Sequence, residues 1–247
     1  MKIVSLVPSQ TELLYYLGLG EHIYGQTKFC IHPKQRGINA QIIGGTKNLN
    51  VAKILAIKPD LIIGNKEENE KSQIEILQQH CPVHITDVSN FEDALDMMAK
   101  LGELTQTKEK ASQIIDEIKL AFKALKPKPN NLKSAVYLIW DNPKMTVGRE
   151  TFINDMLQKT GFSNLMTTAR YPEISEEVLQ SLKPEYVLLS SEPYPFKEKH
   201  IDQFKKILTS SKVIIVDGEM FSWYGSRMLK AAKYFISLQK QIQNNTP

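Results

Sequence analysis

Apolar positions along this chain follow two rhythms that take turns. Short runs dense in Val, Ile and Leu, at 3–7, 61–64, 83–86, 135–140, 186–190 and 213–216, read as strands covered on both faces. Between them, apolar steps of three and four residues mark helices, among them 11–17, 73–79 and 152–157. Strands alternating with helices predict an α/β architecture with mostly parallel sheets.

The longest helical pattern covers 91–124. Leu95, Met98, Leu101 and Leu104, then Ile114, Ile115, Ile118 and Phe122, hold one apolar face, and Gly102 is the expected point of division into two helices. The breaker Lys126-Pro127-Lys128-Pro129-Asn130-Asn131 follows. These features predict an N-terminal α/β lobe over 1–104, a connecting helix over 105–126 and a second α/β lobe over 127–247. The two halves also share a phrase. Ile54, Ile57, Lys58, Pro59 and Asp60 precede one strand as Leu179, Leu182, Lys183, Pro184 and Glu185 precede another. Each copy reads as a short helix stopped at its proline, an acidic turn residue and a buried strand.

Composition narrows the function classes. The chain has 247 residues, 42% of them hydrophobic and 23% charged, as in an ordinary soluble globular protein. Its net charge of +4 is small and scattered, which argues against a nucleic-acid face. Cys30 and Cys81 lack CxxC spacing, so no zinc site or redox dithiol is expected; they read as free thiols, with a pairing between them left open. Met1-Lys2 leads directly into a strand without a signal-peptide core or lipobox, and no apolar run reaches membrane-span length. That reading places the chain in the cytoplasm.

Four segments carry candidate chemistry. In Pro8-Ser9-Gln10-Thr11-Glu12, Ser9 and Glu12 have capping-box spacing at a strand-to-helix junction, which suits either plain capping or a ligand at the helix N-terminus. The loop Thr27–Pro33, with Phe29, Cys30 and His32, precedes Gly44-Gly45-Thr46. His32 is a candidate metal ligand, although a lone histidine is more often structural. The acidic turn Glu67–Glu70 suits a helix N-terminus or a docking patch. Phe221-Ser222-Trp223-Tyr224-Gly225-Ser226-Arg227 gathers three aromatics and a cation, suited to a large flat ligand with polar edges, and Trp140 ends another strand. No nucleophile elbow, HExxH, Walker or dinucleotide-binding motif is present, so no catalytic residues are assigned and no enzyme is expected.

In this order, LVPSQTELLYYLG, TKFCIHP, GGTKNLN, ILAIKPDLII, MTVGRETFINDMLQKTGFSNL, SEEVLQSLKPEYVLL and FSWYGSRMLKAAKYF resemble the cobalamin-binding branch of the helical-backbone substrate-binding proteins of ABC importers, relatives of the iron-siderophore binders. The resemblance covers nearly the whole chain. It implies the class III architecture: two Rossmann-like lobes joined by a long backbone helix, with a corrinoid such as cobalamin held without catalysis in the cleft between them. The residues this places at the ligand are Pro8, Ser9, Phe29, His32, Lys66, Trp140, Arg149, Phe221, Trp223, Tyr224 and Arg227, with His32 as the candidate cobalt ligand. Asn65 and Lys66 stand where the family carries a cleft tryptophan, so part of that wall is missing. Glu68 or Glu70 in one lobe and Glu198 in the other fall near the family's permease-docking glutamates.

The expected partners are a corrinoid or metal chelate and an ABC permease, with no nucleic acid, no membrane span and a monomeric state. By family analogy a trimmed form would belong to the periplasm or cell surface, and a cytosolic form would handle its corrinoid inside the cell. An iron-siderophore or haem ligand is the nearest alternative, with Arg149, Arg170 and Arg227 as the available cations. From other classes come an α/β enzyme on a nucleotide or sugar, resting on Gly44-Gly45-Thr46, and an adaptor docking through Glu67–Glu70.

Overall fold

The computed structural model describes residues 1–125 and 132–244. The breaker at 126–131 and the boundary expected there lie outside the described residues. The chain forms two compact units. The first comprises 1–88, 93–116 and 223–227; the second comprises 89–92, 117–222 and the chain from Met228 onward.

In the first unit, β1 (Ile3–Ser5), β2 (Ile23–Gln26), β3 (Gln41–Ile42), β4 (Leu61–Asn65) and β5 (Val83–Thr86) make one all-parallel sheet ordered β3-β2-β1-β4-β5. Helices α1 (Pro8–Tyr16), α2 (Val51–Ile57) and α3 (Lys71–Gln78) alternate with the strands. Every residue of β1 and β4 is buried, which is why Ile3-Val4 and Leu61-Ile62-Ile63 read as apolar runs. Val4, Leu6, Ile43, Ile54, Ile62 and Leu77 close one side of the core.

The second unit repeats the scheme. Parallel strands β6 (Lys133–Trp140), β8 (Phe162–Asn164), β9 (Tyr186–Ser190) and β10 (Lys212–Val216) are ordered β8-β6-β9-β10, and β7 (Met145–Thr146) pairs antiparallel with β6. Helices α6 (Phe152–Thr160), α7 (Glu176–Leu182), α8 (Glu198–Ile207), α9 (Gly218–Ser222) and α10 (Met228–Asn244) complete it. Val136, Leu138, Leu179, Val187, Leu189 and Phe204 form a core cluster.

The repeated phrase does the same work in each unit. Asn50 caps α2 by accepting Lys53 N–H at 2.9 Å, and Ser175 caps α7 by accepting Val178 N–H at 3.3 Å. Both helices end on a lysine in left-handed conformation, Lys58 (φ 52°) and Lys183 (φ 46°). The following proline disfavours right-handed helix at that position, so the chain reverses there. The acid beyond it then fastens the sheet. Asp60 Oδ2 accepts the Lys2 amide at 2.6 Å ahead of β1, and Glu185 Oε2 accepts the Ser134 amide at 2.8 Å in β6.

Three local readings change. The 91–124 pattern is two helices, α4 (Phe91–Leu104) and α5 (Lys108–Lys123), but they part at Gln106, whose φ is 58°, and not at Gly102. Gly102 lies inside α4 because a Cβ there would stand 2.5 Å from the Ala111 Cβ; the glycine permits close approach of the two helices. Ser9 does not cap α1: the helix starts at Pro8 with Val7 as an uncapped N-cap residue, and Glu12 turns to another partner. Gly44-Gly45 serves a turn, with Lys28 N–H donating to Gly44 O and Gly45 N–H to Asn48 O, both at 2.9 Å.

Gly44 sits at φ 108°, and a Cβ on it would lie 2.4 Å from Asn48 O. Gly44→Ala should therefore cost on the order of 2–4 kcal/mol of stability. The urea midpoint of the variant measures this; an unchanged midpoint would show that the turn relaxes freely.

A second expectation concerns pH. Burial, aided by the charge of Lys100, holds the His84 imidazole below its ordinary value of 6.5. A base with a lowered folded pKa binds fewer protons folded than unfolded, so stability falls as pH drops below about 6.5. Melting curves at pH 7.5 and 5.5 should show a smaller loss in His84→Gln than in the unaltered protein.

Candidate functional site

In an open parallel sheet, a ligand crevice forms outside the carboxyl ends of the strands where the strand order reverses. In the first unit that reversal lies at β1 and β4. The carboxyl ends there lead into Pro8-Ser9 and Lys66–Asn69, beside the loop after β2 that carries Phe29 and His32. Three of the four candidate segments thus converge on one sheet edge; of the fourth, Phe221–Arg227, the part Trp223–Arg227 belongs to the same unit, while Phe221 and Ser222 belong to the second.

A buried polar framework holds this edge. Asn65 Oδ1 accepts the Glu67 and Glu68 amides at 2.8 and 3.2 Å, while its Nδ2 donates to Thr86. Asn69 accepts the Asn65 amide at 2.8 Å and donates to Thr46 O at 3.1 Å. The asparagine that stands in place of an expected tryptophan is therefore the residue that shapes the β4 turn. Thr11 Oγ1 bonds Ser5 Oγ at 2.7 Å and lies 3.1 Å from Cys30 Sγ, and Gln26 Nε2 donates to Cys30 O at 3.0 Å. Burial pushes the Cys30 thiol above its usual pKa despite these bonds, so it is a structural thiol; Cys30 and Cys81 are both free.

On this framework stand the aromatic and charged residues. Gly225, at φ 91°, turns Trp223–Arg227 onto α1, where a Cβ on it would touch Leu13 Cβ at 3.3 Å. Arg227 Nε and Nη2 donate to Glu12 Oε2 and Oε1 at 2.8 and 2.7 Å, a fork-on-fork pair with side chains only 4% and 13% exposed. The guanidinium lies 4.9 Å from the Trp223 ring centroid, and the same indole meets His32 edge-on at 5.3 Å and 74°. Tyr224 is buried, and burial raises its hydroxyl well above the usual pKa; Glu68 adds to this, while hydrogen bonding with Gln10 and Ser9 works against it.

Beside half-buried His32, Phe29 and Ile31 are 49% and 52% exposed, with Lys28 Nζ 5.1 Å from the Phe29 centroid. Lys66 is exposed and pairs with Asp87 at 2.7 Å. Pro8, Ser9, Phe29, His32, Lys66, Trp223, Tyr224 and Arg227 therefore share the β-sheet edge of the first unit. Glu12 was not read as one of them: its partner is 215 positions away, a distance no local pattern reports.

The remaining candidates belong to the second unit. Trp140 is 39% exposed, packs edge-on against Tyr194 at 5.6 Å and donates Nε1–H to Asn142 O. Tyr194 also packs edge-on against Phe196 at 4.7 Å. Arg149 is exposed, and Arg170 donates to Glu150 O at 3.3 Å. Phe221 is 0% exposed and packs against Tyr137, Tyr234 and Phe235, so its ring belongs to the core. A pocket of about 400 Å³ also opens in this unit, lined by Asn90, Glu150, Asn154, Asp155 and Arg170 among others. Its polar walls do not suit a large apolar-faced ligand. Of the expected docking residues, Glu70 is the exposed N-cap residue of α3, Glu198 is exposed in the first turn of α8, and Glu68 is half-buried.

Among the described residues there is no cluster of three or more His, Cys, Asp or Glu able to hold a metal ion, and no helix long and apolar enough to cross a membrane. The two sheets, all-parallel in the first unit and mostly parallel in the second, carry aromatic and charged side chains in loops that follow their strands. The family model described as periplasmic binding protein matches residues 3–211, and the chain belongs to that family. As a member of that family it is a non-catalytic substrate-binding protein. A vitamin B12-binding protein of Photorhabdus laumondii is 25% identical over 99% of this chain and 89% of its own length. An uncharacterized ABC transporter substrate-binding lipoprotein of Bacillus subtilis, YvrC, is also 25% identical, over 94% and 77%. The periplasmic heme-binding protein RhuT of Roseiflexus sp. RS-1 shares the fold at a TM-score of 0.82 and 20% identity, covering 97% of this chain and 98% of that one.

Proposed function

We propose that this protein binds a corrinoid and delivers it to an ABC permease. The observation that carries this reading is the imidazole of His32, in edge contact with the Trp223 ring and preceded in sequence by exposed Phe29 and Ile31. Exposed apolar side chains suit the faces of a large macrocycle, and an imidazole among them suits a metal at its centre. Charge favours a corrinoid over an anionic chelate. Arg227 is matched by Glu12 and Lys66 by Asp87, so neither of these two cations brings an unbalanced charge to a carboxylate. The relatives named for vitamin B12 point the same way. For delivery, Glu70 and Glu198 are the exposed glutamates that would meet permease arginines, and half-buried Glu68 is less open to such a partner.

Haem is the second reading, favoured by exposed Arg149 and by the heme-binding structural relatives. Isothermal titration with cyanocobalamin, cobinamide and haemin, with the optical bands recorded, separates them. The corrinoid reading expects both corrinoids to bind, and a band shift that is lost in His32→Ala. Binding of haemin alone would replace it with the second reading; binding of none would remove both.

A further inference from the structure

We propose that Glu12 is a positioning residue for the binding wall: it clamps Arg227, whose guanidinium holds Trp223 and thereby presents His32. The inference deepens the proposed function and rests on it for the ligand, but its geometry lies wholly within the first unit. Glu12 binds Nε and Nη2 together, which fixes the plane of the guanidinium as well as its position. Arg227 in turn lies within cation–π distance of the indole, and the indole meets the imidazole edge-on.

A buried ion pair is an uneconomical way to hold a fold together. Desolvating both charges offsets their attraction, and apolar residues of similar size are often as stable or more so. What the pair supplies that a Leu or Met would not is direction. The guanidinium cannot rotate while both nitrogens are engaged, so the indole whose centroid lies 4.9 Å from it meets a cation of fixed position and plane. The clamp also reaches from the first helix of the chain to a segment near its end, joining α1 to the loop that carries Trp223.

The test compares the double variant Glu12→Gln/Arg227→Met, which removes both charges, with Arg227→Lys, which keeps the charge balance but lacks the planar fork. Three quantities are read in each: thermal stability, cyanocobalamin affinity, and the NMR shifts of the His32 ring protons in the ligand-free protein, assigned by their loss in His32→Gln. Positioning predicts a folded double variant whose His32 resonances move toward free histidine and whose cyanocobalamin affinity falls about tenfold or more. It predicts the same direction, to a smaller extent, for Arg227→Lys. Unaltered His32 resonances in both variants, with unaltered affinity, would leave the pair a purely structural contact and overturn the proposal. If the unaltered protein fails to bind cyanocobalamin, the corrinoid reading is lost, while the His32 resonances still decide for or against the clamp.

Discussion

Replacing Trp223 by alanine should cost the protein roughly 10- to 300-fold in corrinoid affinity while both sheets stay folded. The indole makes two directed contacts, with the Arg227 cation at 4.9 Å and with the His32 ring at 5.3 Å. A partly desolvated cation–π contact of about 0.5–2 kcal/mol and an aromatic edge contact of about 0.5–1.5 kcal/mol hold the wall in shape before the ligand arrives, and their sum is the most that losing this preorganisation can cost in affinity. The side chain is 7% exposed, so truncation also lowers stability, by about 3 kcal/mol for a ring of this size. Binding should therefore be measured by calorimetry well below the melting transition of the variant. Trp223→Phe should fall between, since phenylalanine offers a weaker face to a cation than tryptophan. Wild-type affinity in a folded Trp223→Ala would show that the indole fills space and that His32 needs no support.

The α/β class was legible because parallel strands buried on both faces leave runs dense in Val, Ile and Leu, such as Leu61-Ile62-Ile63 in β4 and Val187-Leu188-Leu189 in β9. The internal repeat was legible for a similar reason: Lys-Pro-acid encodes a helix stop, a reversal and a strand anchor within three residues, all of them local. Shorter strands escaped. The two residues of β3 and the two of β7 are too few to show any period, and β8 has only three. Helix division was misplaced because a glycine was taken as a breaker, where its missing Cβ instead makes room for Ala111.

The candidate site shows the same division between local and distant information. His32, Trp223 and Arg227 announced themselves by residue type in loops. Glu12 did not, because the spacing of Ser9 and Glu12 satisfies a capping rule that the structure declines in favour of a partner on another part of the chain. Acidic residues at a helix start have a cheap local explanation, and only tertiary geometry reveals when a distant guanidinium outbids it.

Phe221 and Trp223 are two residues apart and read alike in sequence, yet their substitutions should separate cleanly. Phe221→Ala should destabilise the protein by about 3–5 kcal/mol, lowering the melting temperature on the order of 10 °C. Its ring is 0% exposed, with Phe235 at 4.8 Å, Tyr137 at 5.3 Å and Tyr234 at 6.3 Å between centroids. Removing it opens a cavity under β6 beside the Tyr137 hydroxyl, which donates to Ser190 Oγ at 3.0 Å and whose pKa burial drives far up. That buried hydroxyl network resists collapse onto the void, because moving Tyr137 inward breaks its bond to Ser190. The cost should therefore lie at the upper end of the range for a ring of this size. Cyanocobalamin affinity at a temperature where the variant is folded should stay within a few-fold of the unaltered protein, since none of these contacts reaches the His32 edge. Urea unfolding and calorimetric titration of the same preparation check both halves. A variant that kept its stability and lost its ligand would move Phe221 from the core to the binding wall.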